Sequence, residues 1–273
     1  MILFYSLAKL TKFAKRSYMN LRLNAKYKDY EDRLSEYIKL FGSKGEVFVI
    51  GQRNQIKLFE LDGKTINIKS FKIPYLINKI AYKFFRKSKA RRSFEYATTL
   101  LEKGIGTPEP IAYLENYDFI GLKDSYYASE HLQSDLTYRE LVEIPDFPDH
   151  ENILRQFTRF SFDLHEKGIE FLDHSPGNTL IKKTIEGSYD FFLVDLNRMN
   201  FHDNMDFDSR MKNLSHLTPQ KQMIAVMSNE YSKLYPAQTE ADIFEKMWFY
   251  TNDFQERFAK KRRLKKKLKF WKS

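Results

Sequence analysis

The first residues of the chain combine basic side chains with apolar ones at roughly helical spacing. This pattern over residues 1–28 is typical of an amphipathic helix. A second helical pattern covers residues 30–41 and ends at Gly42 and Gly45. The apolar positions of the first stretch are Leu3, Leu7, Leu10, Phe13 and Tyr18. We therefore predict a basic, amphipathic helical extension over residues 1–43.

From residue 44 the pattern becomes that of a sheet. Asp62-Gly63 separates two runs with strand-like alternation, which is the strongest short-range signal of a hairpin. A later helical stripe stops at Gly104, a residue type that commonly follows the last helical turn. The predicted strands cover residues 47–50, 55–61, 65–71, 111–114 and 125–132, and the predicted helix covers 89–103. Residues 44–131 are interpreted as an antiparallel sheet carrying one helix.

Beyond residue 131 the apolar spacing is mainly helical. One stripe over residues 152–166 ends at Gly168, and helical patterns return between residues 208 and 258. Between them we predict a short apolar run, a polar loop and a hairpin. The hairpin strands are residues 179–183 and 189–194. Residues 132–258 are therefore interpreted as a helical lobe.

Composition limits the class of protein. The 273 residues are 42% apolar, which is enough for a core, and they include no cysteine. Disulfides and thiolate metal sites are excluded, which favours a reducing compartment such as the cytosol. No uncharged apolar run approaches the roughly 20 residues that span a bilayer. We predict neither a transmembrane helix nor a secretory signal.

The net charge of +10 is concentrated at the end of the chain. Residues 260–273 contain nine basic residues and no acidic ones, so the rest has a net charge of 10 − 9 = +1. Leu264, Leu268, Phe270 and Trp271 are interleaved with these charges. Residues 259–273 are therefore predicted to be a basic amphipathic tail that binds an anionic membrane surface. Nucleic-acid binding is the less favoured alternative.

The stretch 168–201 has the residues that can carry chemistry. Asp173 lies five positions before Asn178, and the following hairpin runs directly into Asp195. Phosphoryl transfer requires a group that orients a hydroxyl nucleophile and ligands that hold Mg²⁺ against the phosphates. The Asp173 carboxylate can accept the hydroxyl proton, and Asn178 and Asp195 offer hard oxygen ligands. An Asx turn is the ordinary alternative, but the position between a helix and a hairpin favours catalysis.

With these residues, the chain resembles the protein-kinase-like phosphotransferases, and most of all the Kdo/WaaP-type lipopolysaccharide kinases. The resemblance covers residues 45–217. Asp173 matches the family's catalytic-loop Asp, Asn178 its metal-binding Asn and Asp195 its second metal-binding Asp. It implies an α+β, two-lobed protein-kinase-like fold with a β-rich N-lobe and a helical C-lobe, with ATP between them and Mg²⁺ as the metal.

The resemblance also assigns nucleotide contacts to the first half of the chain. Lys69, at the end of the Ile-Asn-Ile-Lys run 66–69, resembles the strand lysine that grips the phosphates. Glu95 resembles its ion-pair partner on the next helix. Glu130-His131-Leu132 resembles the hinge whose backbone contacts adenine, so Glu130 and Leu132 are expected at the nucleotide. The alternatives to Lys69 are Lys57, Lys64 and Lys72, and a surface pairing with Arg92 is the alternative for Glu95.

Several family features are replaced. The glycine-rich loop is replaced by a short turn at residues 51–54, and Phe171-Leu172 stand where His and Arg usually precede the catalytic Asp. Leu196-Asn197 follow the metal-binding Asp, and no Ala-Pro-Glu segment follows. These departures argue against a regulated protein kinase. They leave phosphorylation of small molecules open.

The resemblance implies phosphorylation of a hydroxyl on a lipopolysaccharide inner-core sugar, Kdo or a heptose, by a cytoplasmic protein peripheral to the inner membrane. The partner would be a lipid-linked sugar acceptor, and nucleic acid is an unlikely one. A protein kinase and a non-catalytic pseudokinase are the alternatives. Arg198 is interpreted either as a contact to an anionic group of the acceptor or as an internal salt bridge. His174 is interpreted as loop packing or a substrate contact.

Overall fold

A computed structural model describes residues 18–51, 54–71, 75, 79, 81–82, 84–185 and 187–270. Contacts divide the chain into two compact units, Met1–Leu132 and Gln133–Ser273. The predicted amphipathic helix over residues 1–17 lies outside the described residues.

The first unit is built on an antiparallel sheet. Its strands pair in the order β1-β5-β6-β4-β3-β2. The hairpin at Asp62-Gly63 is confirmed, with positive φ angles of 48° and 77° at the two residues, the combination that a type I′ turn requires. The strands are β1 Tyr18–Leu23, β2 Glu46–Ile50, β3 Asn54–Leu61, β4 Lys64–Phe71, β5 Pro110–Tyr117 and β6 Leu122–Glu130.

The prediction of a helix up to residue 28 is wrong for Tyr18–Leu23, which form strand β1. This strand pairs antiparallel with β5, with Leu21 opposite Leu114. Leu21 and Leu23 pack against the buried core of the unit. Pairing with a strand far along the chain therefore outweighs the local helical spacing. A 3-10 helix, Ala25–Tyr30, then leads into helix α1, Glu31–Lys39.

Helix α2, Lys89–Glu102, packs on this sheet as predicted. The Ser88 hydroxyl accepts a hydrogen bond from the Arg91 amide and caps its start. Gly104 has a φ of 70°, and the Ile105 amide donates to the Leu100 carbonyl at 2.8 Å. This is the glycine-terminated helix end that the sequence indicates.

The second unit combines short strands with helices. Strands pair in the orders β10-β9-β7 and β11-β8. Its strands are β7 Leu136–Thr137, β8 Ile169–Phe171, β9 Thr179–Lys183, β10 Tyr189–Leu193 and β11 Met199–Phe201. Its helices are α3 Tyr138–Glu143, α4 His150–Glu166, α5 Phe207–Leu214, α6 Lys221–Leu234 and α7 Glu240–Phe270. The predicted hairpin and the helix before it are confirmed.

The core of the second unit lies between α4, α6 and the hairpin. Tyr138, Phe157 and Tyr231 are fully buried there, and the Tyr138 and Phe157 ring centroids are 4.2 Å apart. Each such ring contributes about 2 to 3 kcal/mol by its removal from water. This core fixes the helix that precedes Asp173 and the hairpin that follows it.

Helix α7 includes most of the predicted basic tail. It runs from Glu240 through Phe270 without a break, because no glycine or proline interrupts this stretch. No helix among the described residues has the length and apolar character needed to cross a bilayer.

Candidate active site

Asp173 follows the short ladder between β8 and β11. The Leu172 amide donates to the Arg198 carbonyl at 3.2 Å, and the His202 amide donates to the Gly168 carbonyl at 2.8 Å. Gly168 has a φ of 70°, and a Cβ there would lie 1.9 Å from the His202 carbonyl oxygen. Only glycine therefore allows this close approach. The ladder places Asp173 with its side chain 30% exposed.

The loop between Asp173 and Asn178 is closed by its own hydrogen bonds. The Asn178 side-chain amide Nδ2 donates to the Asp173 carbonyl at 2.8 Å, and the Asn178 backbone amide donates to the Ser175 carbonyl at 2.9 Å. A 3-10 turn, Pro176–Asn178, completes the loop. The guanidinium of Arg139 on α3 lies against Gly177. The sequence did not indicate this contact, since α3 was not predicted as a separate element.

The hairpin brings Asp195 next to Asn178. Thr179 lies opposite Leu193 in the ladder, and the Val194 amide donates to the Asn178 carbonyl at 3.0 Å. Asp195 itself has a φ of 60°, a left-handed conformation that is uncommon outside glycine and that recurs at functional sites. The Asn197 side-chain amide donates to Asp195 Oδ1 at 2.7 Å.

These two residues fit a Mg²⁺ ion that also binds phosphate oxygens. The Nδ2 group of Asn178 is directed to the Asp173 carbonyl, so its Oδ1 oxygen points away from that carbonyl. No cluster of three or more His, Cys, Asp or Glu side chains suited to a metal occurs in the described part of the chain. Magnesium commonly uses one or two protein oxygens and takes the others from phosphates and water. Asn178 and Asp195 match that requirement.

Arg198 is paired with Asp173. Its Nη1 atom lies 2.9 Å from Asp173 Oδ1, and the two side chains are 57% and 30% exposed. The sequence left open an internal salt bridge or an acceptor contact, and the structure shows the salt bridge. The guanidinium nevertheless remains more than half exposed, so it can contact a second anion beside Asp173.

His174 packs in the core of its unit. Its ring lies between those of Phe157 and Phe171, with centroids 5.6 and 5.7 Å away. Burial lowers the pKa of His174 to about 4, against an opposing effect of Asn213. Within the described residues, neither ring nitrogen makes a hydrogen bond of normal geometry. The structure therefore favours the loop-packing interpretation.

His216 and helix α7 lie close to this site. The His216 ring centroid is 3.9 Å from that of Phe254 on α7. Burial lowers the pKa of His216, the Asp173 carboxylate opposes this shift, and Arg257 and Arg198 add to it. Asp173, Arg198 and Arg257 thus all interact electrostatically with one imidazole. No local sequence signal connected α7 with Asp173, because more than sixty residues separate them in the chain.

Three predicted lysine candidates can be compared in the first unit. Lys57 is buried, and its Nζ donates to the Phe41 and Lys44 carbonyls at 2.6 and 2.9 Å. Lys64 pairs with Glu130 at 2.6 Å. Lys69 is half-buried on β4, with its Nζ 5.5 Å from the Phe71 ring centroid. Lys72 lies outside the described residues.

Glu95, which lies on α2, forms two ion pairs. Lys87 Nζ lies 2.7 Å from its Oε2 and Arg91 Nε lies 2.9 Å from its Oε1. Burial raises the pKa of Glu95, but the hydrogen bonds from Lys87 and Arg91 outweigh this effect and lower it. The helical ion-pair partner that the structure shows for Glu95 is Arg91.

Glu130 is the last residue of β6. Its amide donates to the Glu109 carbonyl, and the His131 amide donates to the Thr65 carbonyl, both at 2.9 Å. Its carboxylate accepts from Tyr27 at 2.7 Å as well as from Lys64. Leu132, the other predicted hinge residue, is the last residue of the first unit.

No protein-family model and no curated protein match the chain. Among solved structures, it is similar to one described as WaaP in complex with acyl carrier protein. That similarity has a TM-score of 0.59, covers 89% of this chain and 98% of that chain, and has 17% sequence identity. The chain has a WaaP-type kinase fold. The predicted α+β, kinase-like fold class is confirmed.

The order of elements along the chain is that of a β-rich part followed by a helical part. A sheet that carries α2 comes first, and the helix α4, the Asp173 loop and the β9–β10 hairpin follow. At 17% identity the similarity establishes the fold alone. The chemistry has to be inferred from the side chains of the site.

Proposed function

We propose that this protein is an ATP-dependent phosphotransferase acting on a hydroxyl of a lipopolysaccharide inner-core sugar, Kdo or a heptose. One observation carries the proposal. The Asn178 carbonyl accepts from the Val194 amide, next to Asp195, and the Asn178 side-chain amide donates to the Asp173 carbonyl. A proton acceptor and two oxygen ligands thus converge within a WaaP-type fold. The identity of the acceptor comes from the family resemblance.

In the proposed reaction Asp173 orients the acceptor hydroxyl and accepts its proton. Its backbone is fixed on both sides, by the β8–β11 ladder and by Asn178. A carboxylate held in this way can act without a costly rearrangement in the transition state. The ion pair with Arg198 keeps one of its oxygens oriented.

Asn178 and Asp195 would hold Mg²⁺. When bound, the ion neutralises charge on the phosphates and fixes their geometry. Asn197 holds Asp195 Oδ1 through its side-chain amide. Supporting hydrogen bonds of this kind orient metal ligands and are often as necessary as the ligands themselves.

Lys69 is the lysine that we propose contacts the phosphates, with Glu95 as its charge partner. Lys57 and Lys64 are engaged by two carbonyls and by Glu130 respectively, and Lys69 lies half-buried on β4 at the position that the resemblance assigns to the phosphate contact. Glu95 already accepts from Lys87 and Arg91. For adenine we keep the predicted backbone contacts of Glu130 and Leu132, with the carbonyl as the contact atom of Glu130, because its amide already donates to the Glu109 carbonyl.

Arg198 is proposed to bind an anionic group of the acceptor. It lies against Asp173 and stays more than half exposed. A carboxylate or phosphate on the sugar could share the guanidinium while the hydroxyl meets Asp173. Replacing Arg198 by Met should therefore raise the KM for the acceptor and leave the KM for ATP nearly unchanged.

The test is transfer of labelled γ-phosphate from ATP with Mg²⁺ to defined Kdo-lipid A and heptosylated acceptors. Asp173→Ala should reduce kcat by about 100- to 10,000-fold with little change in nucleotide affinity. Asp195→Ala should weaken Mg-nucleotide binding itself. Transfer to protein substrates alone would favour a protein kinase. Binding of nucleotide without transfer to any acceptor would favour a pseudokinase.

The lysine assignment has its own matched control. Lys69→Met should lower activity strongly, whereas Lys64→Met should remove only an exposed ion pair with Glu130 and leave activity nearly intact. Equal losses of activity in both variants would contradict the assignment of the phosphate contact to Lys69.

A further inference from the structure

The second half of α7 is exposed. Ile243, Met247 and Thr251 in the first half are buried against the unit. From residue 256 to residue 267, every side chain is exposed. The helix is therefore held by its first half and presents its second half to solvent. We call residues 257–267 the basic end of α7.

The basic end has a high density of positive charge. It contains no acidic residue, and its cationic residues are Arg257, Lys260, Lys261, Arg262, Arg263, Lys265, Lys266 and Lys267. Many of these lie four positions apart, where like charges destabilise a helix. An anionic partner removes that repulsion. The surface is thus matched in charge to a polyanion.

Apolar side chains are exposed among these charges. Phe258 is 49% exposed and Leu264 is 59% exposed. Where apolar side chains are exposed among cationic ones, the charges can contact the headgroups of an anionic bilayer while the apolar groups leave water. A nucleic-acid backbone matches the charges but gives Leu264 no apolar environment.

The basic end begins beside the candidate site. Phe254, one turn before it, packs on His216. His216 interacts electrostatically with Asp173 as well as with Arg257, the first residue of the basic end. A surface bound by this helix is therefore brought to the side of the unit that holds Asp173.

The start of α7 has the opposite charge. Asp206, Asp208, Asp242 and Glu245 line a groove of about 820 Å³ there, together with Lys246, which pairs with Asp208. An anionic surface repels this end of the helix and attracts the other. The charge distribution along α7 therefore orients the helix with its basic end towards an anionic surface.

We propose that the basic end of α7 docks on an anionic phospholipid bilayer and so presents Asp173 to an acceptor carried by that bilayer. On the proposed function, this bilayer is the cytoplasmic leaflet of the inner membrane. The presentation of the acceptor rests on the proposed function, whereas the docking itself does not.

The test is sedimentation of the full-length protein with vesicles of phosphatidylglycerol and phosphatidylethanolamine at about 0.15 M salt. The charge-removal variant combines Lys260→Gln, Lys261→Gln, Arg262→Gln and Arg263→Gln. We expect it to partition at least about 100-fold more weakly than the unmodified protein. The matched control removes four exposed lysines elsewhere and should bind normally: Lys28→Gln, Lys39→Gln, Lys123→Gln and Lys212→Gln.

Several outcomes would overturn the docking proposal. They are equal binding to neutral phosphatidylcholine vesicles, unchanged binding of the charge-removal variant, and preference for RNA or DNA in competition with the vesicles. Self-association through α7 without vesicle binding would overturn it too. Binding by the unmodified protein should also weaken as salt is raised, a readout that does not depend on any variant folding.

Turnover on a soluble acceptor sugar separates this proposal from the proposed function. The charge-removal variant should keep that turnover while losing vesicle binding. Vesicle binding without turnover in the unmodified protein would reject the phosphotransferase and leave the docking in place.

Discussion

Glu230 on α6 is a buried carboxylate whose replacement should destabilise the second unit. Its side chain is 4% exposed and accepts from Arg155, Arg159 and Lys233 at 3.1, 2.6 and 2.9 Å. The perturbation is Glu230→Gln, which keeps the shape of the side chain and removes its charge. Three cations then surround a neutral group.

The size of the effect follows from the pKa of Glu230. Burial raises this pKa, but hydrogen bonds from Lys233, Arg159 and Arg155 outweigh it and lower the value from 4.5 to about 2. At about 1.4 kcal/mol per pH unit, the lowered pKa corresponds to about 3 kcal/mol of folding stability. Arg159 and Lys233 are more than half exposed, so solvent screening reduces the expected loss to about 2 kcal/mol.

The sign of the pH dependence follows from the lowered pKa. The stabilisation is fully present above about pH 4.5 and disappears as the pH falls towards 2, since the folded pKa is below the unfolded one. Glu230→Gln should therefore be less stable at pH 7, and the difference from the unmodified protein should shrink steadily below pH 4.5.

The assay is urea unfolding followed by the fluorescence of Trp248, which packs on the core of the second unit, at several pH values between 7 and 2.5. The matched control is Glu151→Gln, because Glu151 also pairs with Arg155 but is 65% exposed. This control should lose less than about 1 kcal/mol. Unchanged stability of Glu230→Gln at pH 7, or a difference at the lowest pH as large as that at pH 7, would refute the reasoning.

Three further substitutions have expected outcomes that thermal unfolding can check. Gly168→Ala should destabilise by about 3 kcal/mol or more, because its Cβ meets the His202 carbonyl in a left-handed backbone. Gly177→Ala should cost less than about 1 kcal/mol, because its Cβ meets only the flexible end of Arg139. Lys57→Met should destabilise by about 1 to 3 kcal/mol, because two backbone carbonyls lose their buried donor.

Features with local causes could be predicted from the sequence. The Asp62-Gly63 turn needs only two residues that tolerate positive φ, and the end of α2 needs only Gly104 followed by an apolar residue. The closeness of Asn178 and Asp195 is also a local property. A hairpin of fixed register connects them, so counting residues along its two strands is enough to place them together.

Features that depend on distant pairing could not be predicted. Strand β1 forms because Tyr18–Leu23 pair with β5, and Asn20 donates to Glu115 at 2.9 Å. The local spacing of apolar residues has no information about that partner. The contacts of Arg139 with Gly177 and of Phe254 with His216 were missed for the same reason.

The backbone before Asp173 is positioned without polar side chains from the two preceding residues. Phe171 and Leu172 stand where His and Arg are usual, so neither can hold the loop by polar side-chain contacts. The structure holds it by backbone and neighbouring groups instead. Phe171 is buried against His174, the Leu172 amide bonds to the Arg198 carbonyl, and the Arg198 guanidinium pairs with Asp173.

The geometry around Asp173 is thus set largely by groups whose identity is weakly constrained. Backbone hydrogen bonds form with almost any side chain, and buried packing accepts several apolar residues of similar volume. Six residues act through their particular side chains instead: Gly168, Asp173, Asn178, Asp195, Asn197 and Arg198. A WaaP-type fold can therefore be kept at 17% identity, because backbone hydrogen bonds and apolar packing accept many different residues.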